Sequence, residues 1–158
     1  MAIQFTSKEL KNRKEKVLKN MNDSNIDALL MFKQESMYWL TGYDTFGYVF
    51  FQCLILDKSG NVVLLTRAPD LRQAQNTSNI KDIRIWIDKD DANPNDDLKK
   101  ILNELKLEGK KIGIEYNAYG LTGRNAMQLN KSLNGLYKIE DKSELISKLR
   151  TIKSIEEI

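Results

Sequence analysis

Four side chains in one short stretch, Tyr43, Asp44, Phe46 and Tyr48, are the residues of this chain best placed to bind something. Rings beside a single carboxylate suit a partner protein or a small amphipathic ligand, because aromatic faces bury large area and the carboxylate orients a donor. The four follow the turn signal Thr41-Gly42 and precede the apolar run that reaches Asp57. Alternation along a strand sends about half of such aromatics into a core. Trp39, Val49 and Phe50 are therefore assigned to packing. The four residues nearest the turn are assigned to an exposed edge.

Catalytic chemistry is narrowly bounded. The sequence contains no histidine, which removes Ser-His-Asp and Cys-His catalysis and any zinc site built on imidazole. The single cysteine, Cys53, sits in an apolar run. It cannot form an internal disulfide, and with no imidazole to activate it the reading is a buried inert thiol. Asp88, Asp90, Asp91, Asp96 and Asp97 are interrupted by Lys89, Lys99 and Lys100 and lack the spacing of a calcium loop. They predict a solvated loop. Gly113 and Gly120 stand too far apart for a dinucleotide fingerprint, and no phosphate-binding loop motif occurs.

The totals add further exclusions. With 25 basic and 22 acidic residues interspersed, the net charge is +3, too balanced to argue for a nucleic-acid partner. No run approaches the roughly 18 apolar residues of a membrane span, and Met1–Thr6 has no secretory pattern. The expectation is a cytoplasmic protein of one domain, with 41% hydrophobic residues to build a core.

The elements that must position the candidate residues follow from periodicity. Thr6 with Glu9 has the form of a capping box, and Leu10, Val17, Leu18 and Met21 place a helix over about 7–24. Ala28–Phe32 is a continuous apolar run, as in a strand buried on both faces. Residues 35–40 form a short helical segment ending at Gly42. Two apolar runs joined by Asp57-Lys58-Ser59-Gly60-Asn61 predict a hairpin. A helix over 69–76, a strand at 83–87, a loop over 88–97 and a helix through Leu98–Leu105 come next. A strand at 111–115, a helix capped by Thr122, a strand at 136–140 and a helix opened by Asp141 complete the chain. The order α-β-α-β-β-α-β-α-β-α-β-α predicts an α/β domain, a layered mixed β-sheet flanked by helices. Leu145, Ile146, Leu149, Ile152, Ile155 and Ile158 keep one apolar face to the last residue. That pattern predicts a helix running to residue 158 and a chain that continues in a longer protein.

Three segments, in order, resemble the N-terminal domain of the creatinase/prolidase/aminopeptidase P family. They are the Lys/Arg-rich opening helix with Asp27-Ala28-Leu29-Leu30, the turn Tyr38-Trp39-Leu40-Thr41-Gly42-Tyr43, and Leu149-Arg150-Thr151-Ile152-Lys153-Ser154-Ile155-Glu156-Glu157-Ile158. The resemblance implies an N-terminal domain over 1–148, with 149–158 starting a linker helix into a catalytic domain. That second domain would carry the chemistry, in peptidase members with two divalent metal ions, so this chain alone would be inactive. It implies a homodimer in which this domain covers a partner subunit's active site, and a small amide or dipeptide as substrate. Tyr43, Asp44, Phe46 and Tyr48 would border the substrate channel. Creatinase clamps its substrate carboxylate with an arginine from this loop; none occurs between Leu40 and Asp57. Arg67 is the nearest substitute, a departure that argues against creatine. Gly42-Tyr43-Asp44 and Gln52 are closer to the ectoine-hydrolase or Xaa-Pro dipeptidase branches. Relatives of the fold in histone-chaperone subunits keep the architecture without catalysis, which leaves a protein-binding module as the alternative.

Overall fold

The computed structural model describes residues 4–158. Helix α1 (Ser7–Asp23) begins where Thr6 Oγ1 accepts the Glu9 N–H at 3.1 Å. Glu9 does not complete a capping box; its carboxylate turns to Arg13 instead. Strand β1 (Ala28–Met31) is buried throughout. Helix α2 (Gln34–Thr41) then closes on Gly42, whose φ of 81° is the left-handed geometry that ends a helix at little cost to glycine. The hairpin β2 (Cys53–Asp57) and β3 (Val62–Arg67) turns where Asp57 accepts the Ser59 and Asn61 N–H groups at 2.9 Å. A 3₁₀ turn (Ala68–Asp70) leads into α3 (Leu71–Thr77). After it come β4 (Asp82–Trp86), α4 (Pro94–Glu104), β5 (Lys111–Ile114), α5 (Gly123–Leu133), β6 (Lys138–Asp141) and α6 (Leu145–Arg150).

The six strands form one mixed sheet in the order β4-β3-β2-β1-β5-β6. The period of two splits its side chains between two cores. Ala28, Leu30, Cys53, Ile55, Val63 and Leu65 pack with Leu98, Ile101 and Leu102 of α4 and Leu129 and Leu133 of α5. Leu29, Met31, Leu54, Leu56 and Leu64 face α1, α2, α3 and α6. Each fully buried aliphatic side chain of this kind contributes about 1.5–3 kcal/mol. The result is the layered α/β domain that the alternation predicts. Cys53 is buried, and burial pushes its thiol well above the ordinary value.

Further expectations fail, among them the opening of the last helix by Asp141, which instead closes β6 while Glu144 stands at the N-cap of α6. The polar segment 88–97 is a loop only to Asn93: Pro94 opens α4, with Asp96 and Asp97 in its first turn. A proline fits there because its missing N–H has no helical partner at that position, and carboxylates favour the positive end of the dipole. The final helix does not run to residue 158. It stops at Arg150, and a separate 3₁₀ turn covers Ile155–Glu157. Ile152 and Ile155 keep the helical spacing but have nothing to pack on, being 74% and 93% exposed. Without burial, spacing alone does not propagate a helix.

Candidate functional site

Strands β1, β5 and β6 run parallel, and β3 and β4 share their direction because β2 opposes both β1 and β3. The carboxyl ends of five strands therefore open at one end of the sheet. The loops that leave there include the segment 42–52, which returns to the start of β2, and the turn 115–122. At β1 the chain order reverses, since β2 lies on one side and β5 on the other. That reversal leaves a crevice outside the strand ends, where open α/β sheets place ligands. A cleft of about 500 Å³ occupies this position, with Phe32, Gln34, Tyr48, Asn117, Tyr119 and Arg150 among its walls.

The loop 42–52 is anchored from beneath. The Tyr43 hydroxyl donates to Gln52 Oε1 at 2.8 Å and lies 3.5 Å from Thr66 Oγ1. Gln52 Nε2 in turn donates to the Gly47 carbonyl at 2.7 Å and to Thr45 Oγ1 at 3.2 Å. Gly47 has no room for a side chain, since a Cβ would sit 2.4 Å from Gln52 Nε2 and 2.8 Å from Asp70 Oδ2. Arg67 braces the outer side: its guanidinium carbon lies 3.4 Å from the Phe50 ring centroid and Nε bonds Asp70 Oδ2 at 3.1 Å. Its Nη1 is 3.7 Å from Asp88. Across the crevice, Gly120 lets the two loops meet, because a Cβ there would press on the Tyr48 and Phe50 carbonyls at 2.9 and 3.0 Å.

The candidate residues thus divide. Phe46 is 80% exposed and Tyr48 49% exposed, an exposed edge as expected, and Tyr48 lies on the crevice wall. Tyr43 is not on an exposed edge; it is fully buried, and burial pushes its hydroxyl above the ordinary value. Asp44 is half-buried, with its N–H bonded to Thr77 Oγ1. It faces a second cleft of about 460 Å³ beside Phe5, Tyr38, Trp39 and Glu157. Arg67 is not a free cation, since Asp70 and Asp88 share its charge. Trp39 packs in the core as expected, whereas Val49 and Phe50 are exposed. Strand alternation does not reach those two, because extended pairing begins only at Cys53 and the residues before it follow turn geometry.

Two residues of this end escaped the sequence reasoning. Tyr119 is 84% exposed on the rim. Glu115, at the end of β5, is fully buried; Oε2 accepts the Phe32 and Lys33 N–H groups at 3.1 and 3.0 Å, and Oε1 the Ser36 hydroxyl at 2.6 Å. Burial pushes its carboxyl up to about 7, against these donors and Lys33. It ties β5 to the start of α2 and so fixes the crevice floor. The available signal was a lone acid closing the apolar strand Lys111-Ile112-Gly113-Ile114-Glu115. Among the described residues, no three Asp, Glu, Cys or His side chains converge as a metal site, and no helix is long and apolar enough to cross a membrane.

Known proteins repeat this architecture. A dipeptidase from Pyrococcus horikoshii superposes with a TM-score of 0.73 at 25% identity, over 91% of this chain and 38% of that one. The ectoine hydrolase of Halomonas elongata is 28% identical over 172 residues, covering 100% of this chain and 41% of its own length. An uncharacterized hydrolase/peptidase of Sinorhizobium fredii is 26% identical over 163 residues, covering 99% of this chain and 41% of its own. The chain spans about two fifths of the length of these curated relatives. The family model for the creatinase/prolidase N-terminal domain matches residues 13–152, from within α1 to just past α6 and so across all six strands. With the sheet, its crevice and that match in agreement, the chain belongs to the creatinase/prolidase N-terminal domain family.

Proposed function

We propose that this chain is the non-catalytic front domain of a hydrolase acting on a C–N bond, where it caps the active site and helps to form a homodimer. The observation that carries the reading is an apolar edge: Phe46, Tyr48, Val49 and Phe50 stand exposed on a loop locked from beneath, with Tyr48 and Tyr119 on the walls of the crevice. A rigid apolar edge excludes water and orients a substrate without supplying a reacting group. The boundary near residue 148, the cytoplasmic location and the catalytic domain that would follow belong to the same proposal. Any divalent metal ions would be held by that domain. Asp44, Phe46 and Tyr48 remain the channel residues of this reading; Tyr43 serves as their anchor. The substrate is a small amide or dipeptide. An Xaa-Pro dipeptide and ectoine are the first to try, after the dipeptidase and the ectoine hydrolase. Arg67, already neutralised, is a poor clamp for a creatine carboxylate.

The test uses the full-length protein with both substrates. Phe46→Ala with Tyr48→Ala should raise KM by about tenfold, the loss of roughly 1.4 kcal/mol of binding, with the melting temperature unchanged. Unchanged kcat/KM would remove the capping role. A full-length protein that turns over neither substrate, nor a related amide, would favour the protein-binding module instead.

A further inference from the structure

The first helix and the last turn of the chain are fastened together through a buried cation. Arg13 of α1 has no exposed surface. Its guanidinium carbon lies 4.0 Å from the Phe5 ring centroid and 5.2 Å from that of Trp39. Nε donates to Glu9 Oε1 and Nη1 to the Trp39 carbonyl, each at 2.8 Å. Nη2 faces Glu157 Oε2 at 3.6 Å and has no hydrogen-bond partner among the described residues. Beside it, Glu156 accepts both the N–H and the hydroxyl of Thr6, at 3.0 and 2.6 Å. Thr6 is also the residue that caps α1, so one side chain joins the start of the fold to its end. The Thr6 bonds hold the Glu156 carboxyl below its ordinary value. Burial raises Glu157, yet the Ser154 N–H and Arg13 together hold it low.

The turn that these ties grip has the form of a helix start. Glu157 Oε2 accepts the Ser154 N–H at 3.1 Å, and the Glu157 N–H donates to the Ser154 carbonyl at 3.0 Å. Such reciprocal bonding satisfies donors that a first helical turn leaves open. Ile152, Ile155 and Ile158 are 74%, 93% and 97% exposed, three apolar side chains left bare where the chain leaves the domain. A buried guanidinium shared by carboxylates of residues 9 and 157 is expensive to separate, because either partner is left as an uncompensated charge.

We propose that Arg13 is a positioning residue: together with Thr6, Glu156 and Glu157 it fixes the direction in which the chain leaves this domain, making a rigid joint at Ser154. These three isoleucines are covered by the continuation of this same chain. This rests on the reading of the chain as the front portion of a longer hydrolase, and relatives of which it spans 41% supply the length required.

The experiment is limited trypsin digestion of the full-length protein at Arg150 and Lys153, which immediately precede the joint. Glu156→Gln with Glu157→Gln should accelerate cleavage there about tenfold, since cleavage tracks local opening. The melting temperature should move by less than about 4 °C. Arg13→Met keeps the apolar contacts with Phe5 and Trp39, removes the charge, and should give the same acceleration. Cleavage at the parental rate in the glutamine variants overturns the joint. So does acceleration matched by an equal loss of global stability, because the ties would then only hold the fold. Cleavage needs no substrate, so a protein that hydrolyses nothing counts against the proposed function alone.

Discussion

The loop 42–52 presents two surfaces from one short piece of chain, and they obey different physics. Its inner side is Tyr43, Thr45, Gly47 and Gln52, all buried and joined by hydrogen bonds that cannot be exchanged for water. Its outer side is Phe46, Tyr48, Val49 and Phe50, all exposed. The inner side sets stability and shape, whereas the outer side is free to vary as long as it meets the right ligand. A binding edge of this kind is therefore specified as much by the polar groups beneath it as by the rings on it.

Graded substitutions should separate the two sides. Tyr43→Ala should destabilise this chain by about 3–5 kcal/mol in urea unfolding, the cost of an aromatic cavity. A loss near zero would place Tyr43 on the surface and erase the distinction. The crevice floor should show a pH signature of similar size. The Glu115 carboxyl titrates near 7 in the folded chain and near 4.5 when unfolded. Between those values the folded chain holds the extra proton, so stability should fall as pH rises from about 4.5 to 7, by about 3 kcal/mol in all. Glu115→Gln should flatten that slope; a slope that persists would assign the titration elsewhere.

Gly47→Ala should cost about 1–3 kcal/mol through overlap with Gln52 and Asp70. Tyr43→Phe should cost about 1–2 kcal/mol by leaving Gln52 Oε1 without its donor. At the other extreme, Phe46→Ala should change stability by no more than about 0.5 kcal/mol, with its effect confined to substrate kinetics in the full-length protein. A large stability loss from Phe46→Ala would mean that the ring packs against something and is no free edge.

Much of the fold was legible because its signals are local. Thr6 and Thr122 cap the helices they precede, at bonds of 3.1 and 3.3 Å to the residues three positions on. Gly42 ends α2, and the run Asp57–Asn61 turns the hairpin. Each depends on neighbours within a few residues, which the sequence lists in order. The helix expected over 151–158 shows the opposite trait. Ile152 and Ile155 look helical by spacing, but spacing carries no information on whether a surface exists to bury them.

The candidate site shows the same division. The sequence by itself determined which stretch would carry the aromatics, where the chain would turn, and that neither histidine nor a second cysteine could act here. Tertiary structure decided which rings face out. It sent Tyr43 inward to Gln52 and Thr66, set Arg67 over Phe50, and brought Glu115 under residues 32–36 from more than 75 positions away. The physical reason is that burial and desolvation are properties of what surrounds a group in space, and those surroundings come from strands distant in the chain.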